Sequence, residues 1–373
     1  MISFCGASDA TIRQRQLNKL RRLLASQASN RFQQPRLRKL GNPGKLISIE
    51  QFVTSTPFTT KQDLGEDQRA YPFFGSNAAC SYSHFKRLHQ TSGTTSRPLY
   101  WLDTAQSWRS ILSCWQKIYQ ASGVEPDDTI FFAFSFGPFL GFWSAYEAAS
   151  QYGCTTIPAG GLSSEARVRM ILESQSTVLC CTPSYALHLA EVAKQAHLPI
   201  LNSHVKRILV AGEPGGSIAE IRALIETMWN ASVHDHHGMT ETGPLSYPCP
   251  VRKDVLHILE DSYLAEVINP DNLQSIPGTQ AEGELVVTTL DRHGSPVLRY
   301  RTGDLVQAQA APCVCGSHHL SLLGGIRGRL DDMRIIRGVN IYPSAVEEIV
   351  RRFAGAAEYR VVILSLIHIS EPT

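Results

Sequence analysis

TIFFAFSF (129–136), FLGFWSAYEAASQYG (139–153), CTTIPAG (154–160), SSEARVRMILESQ (163–175), STVLCC (176–181), PSYALHLAEVAKQ (183–195), KRILVAGEP (206–214), SIAEIRALIETMW (217–229) and ASVHD (231–235) follow one another along the chain. Short apolar runs alternate with longer segments whose apolar residues recur at helical spacing. This alternation predicts βαβ units and a largely parallel sheet flanked by helices, with ligands at the loops beyond the strand ends.

The texture changes on both sides of this body. Residues 1–70 are expected to form a helical lead-in: IRQRQLNKLRRLLASQ (12–27) puts Ile12, Leu17, Leu20 and Leu24 near one face, and GNPG (41–44) then leads into an acidic stretch ending near Tyr71. Residues 71–254 are expected to hold the α/β core and 255–330 a β-rich subdomain of short strands and turns, with 331–373 as the start of a further domain. The fold class is therefore α/β. With 373 residues, 43% hydrophobic and 18% charged, the composition is that of an ordinary globular protein with a sizeable core. A formal charge of +2 supplies no broad basic field, so nucleic acid is not an expected partner. No apolar run approaches the ~20 residues that span a bilayer, so no membrane association is expected. The start, MISFCGASDATIRQRQ, lacks the apolar core of a signal peptide, which suggests a cytoplasmic protein. Nine cysteines in a chain of this size suggest thiols or metal ligands more than a disulfide framework.

Just before the alternating body lies HQTSGTTSRPLYW (89–101), with Thr91, Ser92, Thr94, Thr95 and Ser96 crowded around Gly93. Alone, this stretch fits a flexible surface turn as well as an oxyanion cradle of amides and hydroxyls with Arg97 as a fixed cation. It is not a Walker loop, since the second glycine and the Lys-Ser/Thr ending are missing. Three further stretches bear on the choice: HDHHGMTETGP (234–244), LRYRTGDL (298–305) and GRLDDMRIIRGVNIYP (328–343). By themselves His234, His236 and His237 fit a metal site as well as a stacking surface.

Taken in order, TSGTT and these three stretches resemble the signature motifs of the adenylate-forming superfamily, which includes acyl-CoA synthetases, luciferases and the adenylation domains of peptide synthetases. LRRLLA (20–25), PFTTKQDL (57–64), STVLCCTPSYALHLAEVA (176–193), GELVVTTLDRHGSPVLRYRTGDL (283–305) and DDMRIIRGVNIYP (331–343) resemble its phenylacetate-CoA ligase branch. The resemblance implies a large N-terminal domain followed by a small α+β C-terminal one. It also implies ATP-dependent activation of a carboxylic acid, such as the aryl acid phenylacetate, to an acyl adenylate and then to a CoA thioester. The implied partners are a small carboxylic acid and CoA; a homodimer is left open.

The resemblance implies roles residue by residue. Ser92, Gly93, Thr94 and Thr95 would hold the β and γ phosphates of ATP, with Ser96 and Arg97 replacing the usual glycine and lysine. Gly212, Glu213 and Pro214 of AGEPGG (211–216) would line the adenine, and His237 would stack on it where the family has an aromatic residue. Thr240 would sit beside the α phosphate, and Glu241 would hold Mg²⁺. Asp304 would accept both ribose hydroxyls, with Arg329 adding a cationic contact on the same nucleotide. Asp331 would be the hinge of the C-terminal domain and Gly338 would border the pantetheine tunnel. Phe134, Phe136, Phe139 and Phe142 read as plain core or as an aromatic wall for the acid.

Cys249, His257, Cys313 and Cys315, in SYPCPVRKDVLH (246–257) and APCVCGSHH (311–319), supply four ligands suited to tetrahedral zinc. Free thiols are the alternative, and His318 or His319 can replace His257 in the count. Some members of the branch carry a structural metal at similar positions. The last nine residues, SLIHISEPT, resemble a read-through tail, so the C-terminal domain is expected to be truncated before the lysine that the family brings to the acyl phosphate. Three readings stay open: a CoA ligase, an adenylating enzyme with another acceptor, and a nucleotide-binding fragment with little turnover.

Overall fold

In this computed structural model the described residues are 10–41, 45–91, 97–276 and 278–330, followed by two short strands and positions 346 and 350. The chain opens with helices α1 (Ala10–Ser26), α2 (Gln34–Leu37), α3 (Ile49–Ser55) and α4 (Lys61–Ala70). Of the predicted apolar stripe on α1, Ile12, Leu20 and Leu24 are buried, and Leu17 packs at the edge of the same cluster. That cluster joins α1 and α3 to Leu264, Leu290 and Leu298 far along the chain, so the lead-in is packed onto the later sheet. Helix α4 starts at a reciprocal cap in which the Thr60 side chain and Asp63 satisfy each other's backbone N–H.

An antiparallel hairpin of β1 (Phe85–Gln90) and β2 (Tyr100–Thr104) leads into α5 (Ala105–Ala121), whose apolar face is almost wholly buried. The alternating body follows as β3 (Thr129–Phe132), α6 (Leu140–Tyr152), β4 (Thr155–Pro158), α7 (Ser164–Glu173), β5 (Val178–Cys181), α8 (Pro183–Gln195), β6 (Arg207–Val210), α9 (Ala219–Trp229) and β7 (Ser232–Asp235). All five strands are parallel, in the order β4-β3-β5-β6-β7. Because side chains alternate across a strand, the central strands bury both faces. Phe131, Leu179, Cys181, Ile208 and Val210 meet α7, α8 and α9, whereas Ile130, Phe132, Val178, Cys180 and Leu209 turn toward α5 and α6. Unbroken apolar strands such as VLCC are the sequence mark of that two-sided burial.

A two-residue ladder, β8 (Gly238–Met239) with β9 (Gly243–Pro244), precedes the second sheet. That sheet holds β10 (Ser246–Pro248), β11 (Val255–Ile258), β12 (Tyr263–Ile268), β13 (Gln280–Thr289), β14 (Tyr300–Gln309) and β15 (Ser321–Arg329), antiparallel in the order β10-β11-β15-β14-β13-β12. Strands β16 (Arg334–Ile336) and β17 (Val339–Ile341) pair separately. Leu256, Val287, Val306 and Leu322 from the antiparallel sheet share one core with Ile130, Cys180 and Leu209 of the parallel sheet. Among the described residues no helix is long and apolar enough to cross a membrane.

Two buried ionisable residues, Arg299 and Glu260, tie the lead-in to this second sheet. Arg299 makes a double contact with Glu266 (3.0 and 2.8 Å) and donates to the Val53 and Thr56 carbonyls at 2.5 and 2.7 Å. Glu260 accepts from the Leu320 N–H at 2.7 Å, and Gln16 of α1 donates to the Glu260 carbonyl at 3.2 Å. Burial raises the Glu260 carboxyl from the ordinary 4.5 to about 8, against the lowering effect of its hydrogen bonds. The folded chain therefore holds this proton more tightly than the unfolded one. Its contribution to stability is full below the ordinary value and is lost as pH rises through the folded one. Glu260→Gln keeps an acceptor for Leu320 but cannot ionise. The melting temperature of the variant should gain on that of the parent as pH rises from 5 to 8; a gap that stays constant overturns this assignment.

Candidate nucleotide site and metal-ligand cluster

The loops that leave β6 and β7 at their C-terminal ends meet at one recess. After β6, Gly212 takes φ +93°, and a Cβ on Gly216 would lie 2.5 Å from the Val210 Cγ2 and 2.7 Å from the Asp235 Cβ. The turn can approach the β7 end only because no side chain is there. Gly212, Glu213 and Pro214 line the recess, although the Glu213 carboxylate is also engaged, accepting from the Ser184 N–H at 2.6 Å at the start of α8.

The histidine triplet is dispersed. His234 Nε2 contacts the Ser232 hydroxyl at 3.0 Å, and His236 packs edge-on against Trp115 at 4.4 Å, where burial lowers it to about 3. These two imidazoles are occupied in the fold, so the metal alternative for the triplet is not realised among the described residues. His237 lines the recess with Asp304, and its Nε2 lies 2.9 Å from the Asp304 Oδ2. Asp304 stands opposite Arg329 in the β14–β15 register, and the Arg329 Nη1 donates to Oδ1 at 2.9 Å. The aspartate is 1% exposed, held between a guanidinium and an imidazole. The recess they enclose has a volume of about 100 Å³.

A second carboxylate sets the shape of the Asp304 turn. Glu284 on β13 accepts from the Arg301 guanidinium at 2.9 and 2.6 Å and from the Gly303 N–H at 3.1 Å, while Leu330 donates to the Gly303 carbonyl at 2.7 Å. Strands β14 and β15 lose regular register just past this point, which bends the pair around the recess.

The recess opens into a cavity of about 980 Å³ that shares Gly212, Gly238, Met239 and Arg329 with it. Thr240 and Glu241, in the tight loop between β8 and β9, lie on its wall, with Arg97 at its rim. Glu241 is 4% exposed, and the Tyr300 hydroxyl donates to its Oε1 at 3.3 Å. Phe139 and Phe142 also line this cavity, and Phe134 stacks on Phe142 at 4.3 Å; Phe134 and Phe136 lie against the core. The four phenylalanines thus divide between core and wall. Ser92, Gly93, Thr94, Thr95 and Ser96 lie outside the described residues, as do Asp331 and Gly338. The ends of the hydroxyl stretch are fixed: the Thr91 N–H donates to the Leu99 carbonyl and the Leu99 N–H to the Thr91 hydroxyl, each at 3.0 Å.

Cys249, His257, Cys313 and Cys315 gather where β10 and β11 meet the loop before β15, with all four ligand atoms within 4.8 Å of one another. The Cys249 and Cys313 sulfurs are 3.8 Å apart, and the Cys315 sulfur is 3.3 Å from the His257 Nε2. Zinc–sulfur bonds of about 2.3 Å in a tetrahedron put two sulfurs about 3.8 Å apart, so this donor set fits zinc. His257 offers Nε2 inward, and its Nδ1 lies 3.3 Å from the Ser321 hydroxyl, a contact that orients a ligating ring. His319 is turned away, with its Nδ1 3.1 Å from the Tyr247 hydroxyl.

Residues 52–290 match the family model for AMP-binding enzyme. The phenylacetate-coenzyme A ligase of Pseudomonas putida is 32% identical over 359 residues, covering 94% of this chain and 78% of the relative. The chain belongs to the AMP-binding enzyme family, in its phenylacetate-coenzyme A ligase branch. The ligase of the same description from Escherichia coli K12 is 33% identical over 303 residues, and the curated relatives are spanned over 64% to 78% of their length. Among solved structures, 2-hydroxyisobutyryl-CoA ligase in the postadenylation state with 2-HIB-AMP superposes with a TM-score of 0.88 at 30% identity, covering 95% of this chain and 75% of that one. Its open conformation with 2-HIB-AMP and CoA gives 0.84, covering 96% and 85%.

The sequence of this AMP-binding enzyme did not point to every residue that shapes the site. Glu284 sits inside GELVV, where a charge between apolar neighbours reads as the exposed side of a strand. Arg292 and Asp103 form a buried pair, and they are separated by 189 residues, about half of the chain. Tyr300 lies within YRTGDL, so its motif was visible while its contact with Glu241 was not.

Proposed function

We propose that this enzyme uses ATP to activate a carboxylic acid as its acyl adenylate and then passes the acyl group to the thiol of CoA. The observation that carries the reading is the convergence of Gly212–Pro214, His237, Asp304 and Arg329 on one recess that opens beside Thr240 and Glu241. In this reading the adenine lies between the Gly212–Pro214 turn and the His237 ring. The ribose hydroxyls donate to Asp304, whose oxygens are already oriented by Arg329 and His237. Each carboxylate oxygen can accept more than one hydrogen bond, so both neighbours remain in place. The α phosphate then falls near Thr240, and the β and γ phosphates extend toward Arg97 and residues 92–95.

The substrate carboxylate attacks the α phosphorus, forming the acyl–phosphate bond as pyrophosphate leaves. The thiol of CoA next attacks the acyl carbon, the thioester forms, and AMP departs with the bonding pair. Both steps need charge neutralised and atoms aligned, which suits a wall of hydroxyls, cations and the buried carboxylates Glu241, Glu284 and Asp304. Glu241 fits Mg²⁺, which binds through one or two carboxylates plus substrate phosphates and would supply neutralising charge. Cys249, His257, Cys313 and Cys315 would hold a structural zinc, because a closed set of four ligands leaves no open position. Phe139, Phe142 and the Phe134 stacked behind them support an aryl acid such as phenylacetate, the acid for which the curated relatives are named.

Pyrophosphate release from ATP tests the reading, with phenylacetate, benzoate, 2-hydroxyisobutyrate and a straight-chain acid, each with and without CoA. Acid-dependent pyrophosphate with CoA-dependent AMP is expected. Release that ignores CoA assigns another acceptor, and no release with any acid overturns the activity.

A further inference from the structure

We propose that Arg292 is the positioning residue that fixes the Thr240–Glu241 loop against the hairpin carrying the hydroxyl stretch; this rests on the reading of that loop as the α-phosphate and magnesium wall. Arg292 lies in the turn LDRHGSP (290–296) between β13 and β14, outside every motif that the nucleotide reading uses. Its guanidinium is 3% exposed and meets the fully buried Asp103 of β2 through both carboxylate oxygens, at 2.7 and 2.5 Å. Its remaining terminal nitrogen donates to the main-chain carbonyl of Thr240 at 2.8 Å. The flat of the group lies over the Trp101 ring, 5.1 Å from its centroid.

Each of these contacts removes a freedom. Asp103 belongs to the strand that returns from the hydroxyl stretch, and the Thr240 carbonyl belongs to the peptide that joins Thr240 to Glu241. One planar cation therefore links β2 to the Thr240–Glu241 loop, and it sets the tilt of the peptide from which Glu241 projects. The turn that presents Arg292 is itself seated without slack. A Cβ on Gly294 would lie 2.8 Å from the Thr104 Cγ2 and 3.0 Å from the Phe85 Cε1, and the Gly294 carbonyl accepts from the Ala79 N–H at 2.8 Å. Lysine has one compact donor head and cannot hold both Asp103 oxygens and the Thr240 carbonyl in one plane. A buried ion pair is commonly replaced by apolar groups at little cost, so the pair can be removed with the fold kept.

The test compares Arg292→Lys and the double variant Arg292→Met/Asp103→Leu with the parent enzyme. ATP binding is measured by calorimetry across a magnesium titration, together with acid-dependent pyrophosphate release and the melting temperature. Removing an outer partner of a metal-binding group typically costs about 10- to 100-fold. Both variants should lose that much in kcat and need more magnesium for tight ATP binding, while KM for the acid stays near the parent value. The double variant should melt close to the parent. A folded double variant with parental kcat and magnesium dependence overturns the proposal, as does a loss of activity that follows the melting temperature alone. A parent enzyme that binds no nucleotide would instead strike at the proposed function, so the two failures are distinct. If the double variant does not fold, Arg292→Lys decides by the same magnesium titration.

Discussion

Asp304→Ala is expected to weaken ATP and AMP binding by about 2–4 kcal/mol, roughly 30- to 1,000-fold, because two charge-assisted hydrogen bonds to the ribose are lost together. The geometry adds a second effect. Asp304 lies against both the Arg329 guanidinium and the His237 imidazole, so its removal takes away the carboxylate that stands between them. Asp304→Asn separates the effects: it keeps the shape and one acceptor oxygen but loses the charge that holds Arg329. The affinity of the asparagine variant should fall between those of the parent and the alanine variant, with calorimetry as the measurement. Parental affinity in the alanine variant would remove Asp304 from the nucleotide site.

The other large effect belongs to the sulfur cluster. Protein purified without added metal should carry about one zinc per chain by elemental analysis. Cys313→Ser with Cys315→Ser should abolish it. Zinc present at about 1,000 times its dissociation constant contributes about 4 kcal/mol, which over a chain of this length corresponds to a fall in melting temperature of roughly 5 °C in the double variant. Because thiolates bind and thiols do not, acidification should weaken the metal's contribution. Chelation should first release amide protection near His257 and Ser321, which are paired across β11 and β15, and only later near Thr240. Purified protein that holds no zinc, or a double variant that keeps it, would make these ordinary thiols.

The parts of the fold that could be read in advance were those whose signal is local. VLCC (178–181) and ILV (208–210) are short apolar runs, and they became central parallel strands because an interior on both faces accommodates them. Cysteine and histidine chemistry likewise made Cys249, His257, Cys313 and Cys315 visible before their distances were known. The choice of His257 over His319 was not visible, since it depends on which ring the β10–β11 pairing turns inward. The glycine turn, His237 and Asp304 could be named through motif resemblance, but the link between the last two could not. It arises where β7 ends beside β14, two strands from different sheets. The Arg292–Asp103 pair was hidden for a similar reason: neither residue has a neighbour in sequence that requires it, and a turn arginine is most often a solvated one.

The shared core beneath the two sheets bears on how such a chain can be taken apart. Ile130 and Leu209 from one sheet and Leu256 and Val287 from the other lie in the same apolar cluster, so each sheet supplies the cover that the other needs. A fragment cut between β7 and β10 would leave both halves with a bare hydrophobic face, prone to association and slow to acquire fixed packing. The recess proposed for the nucleotide lies across that same seam, with His237 on one side and Asp304 on the other. Split-protein reporters and swapped halves from relatives should therefore place their junctions outside the span from α1 to β15, because binding and cooperative unfolding would be lost together at a cut within it.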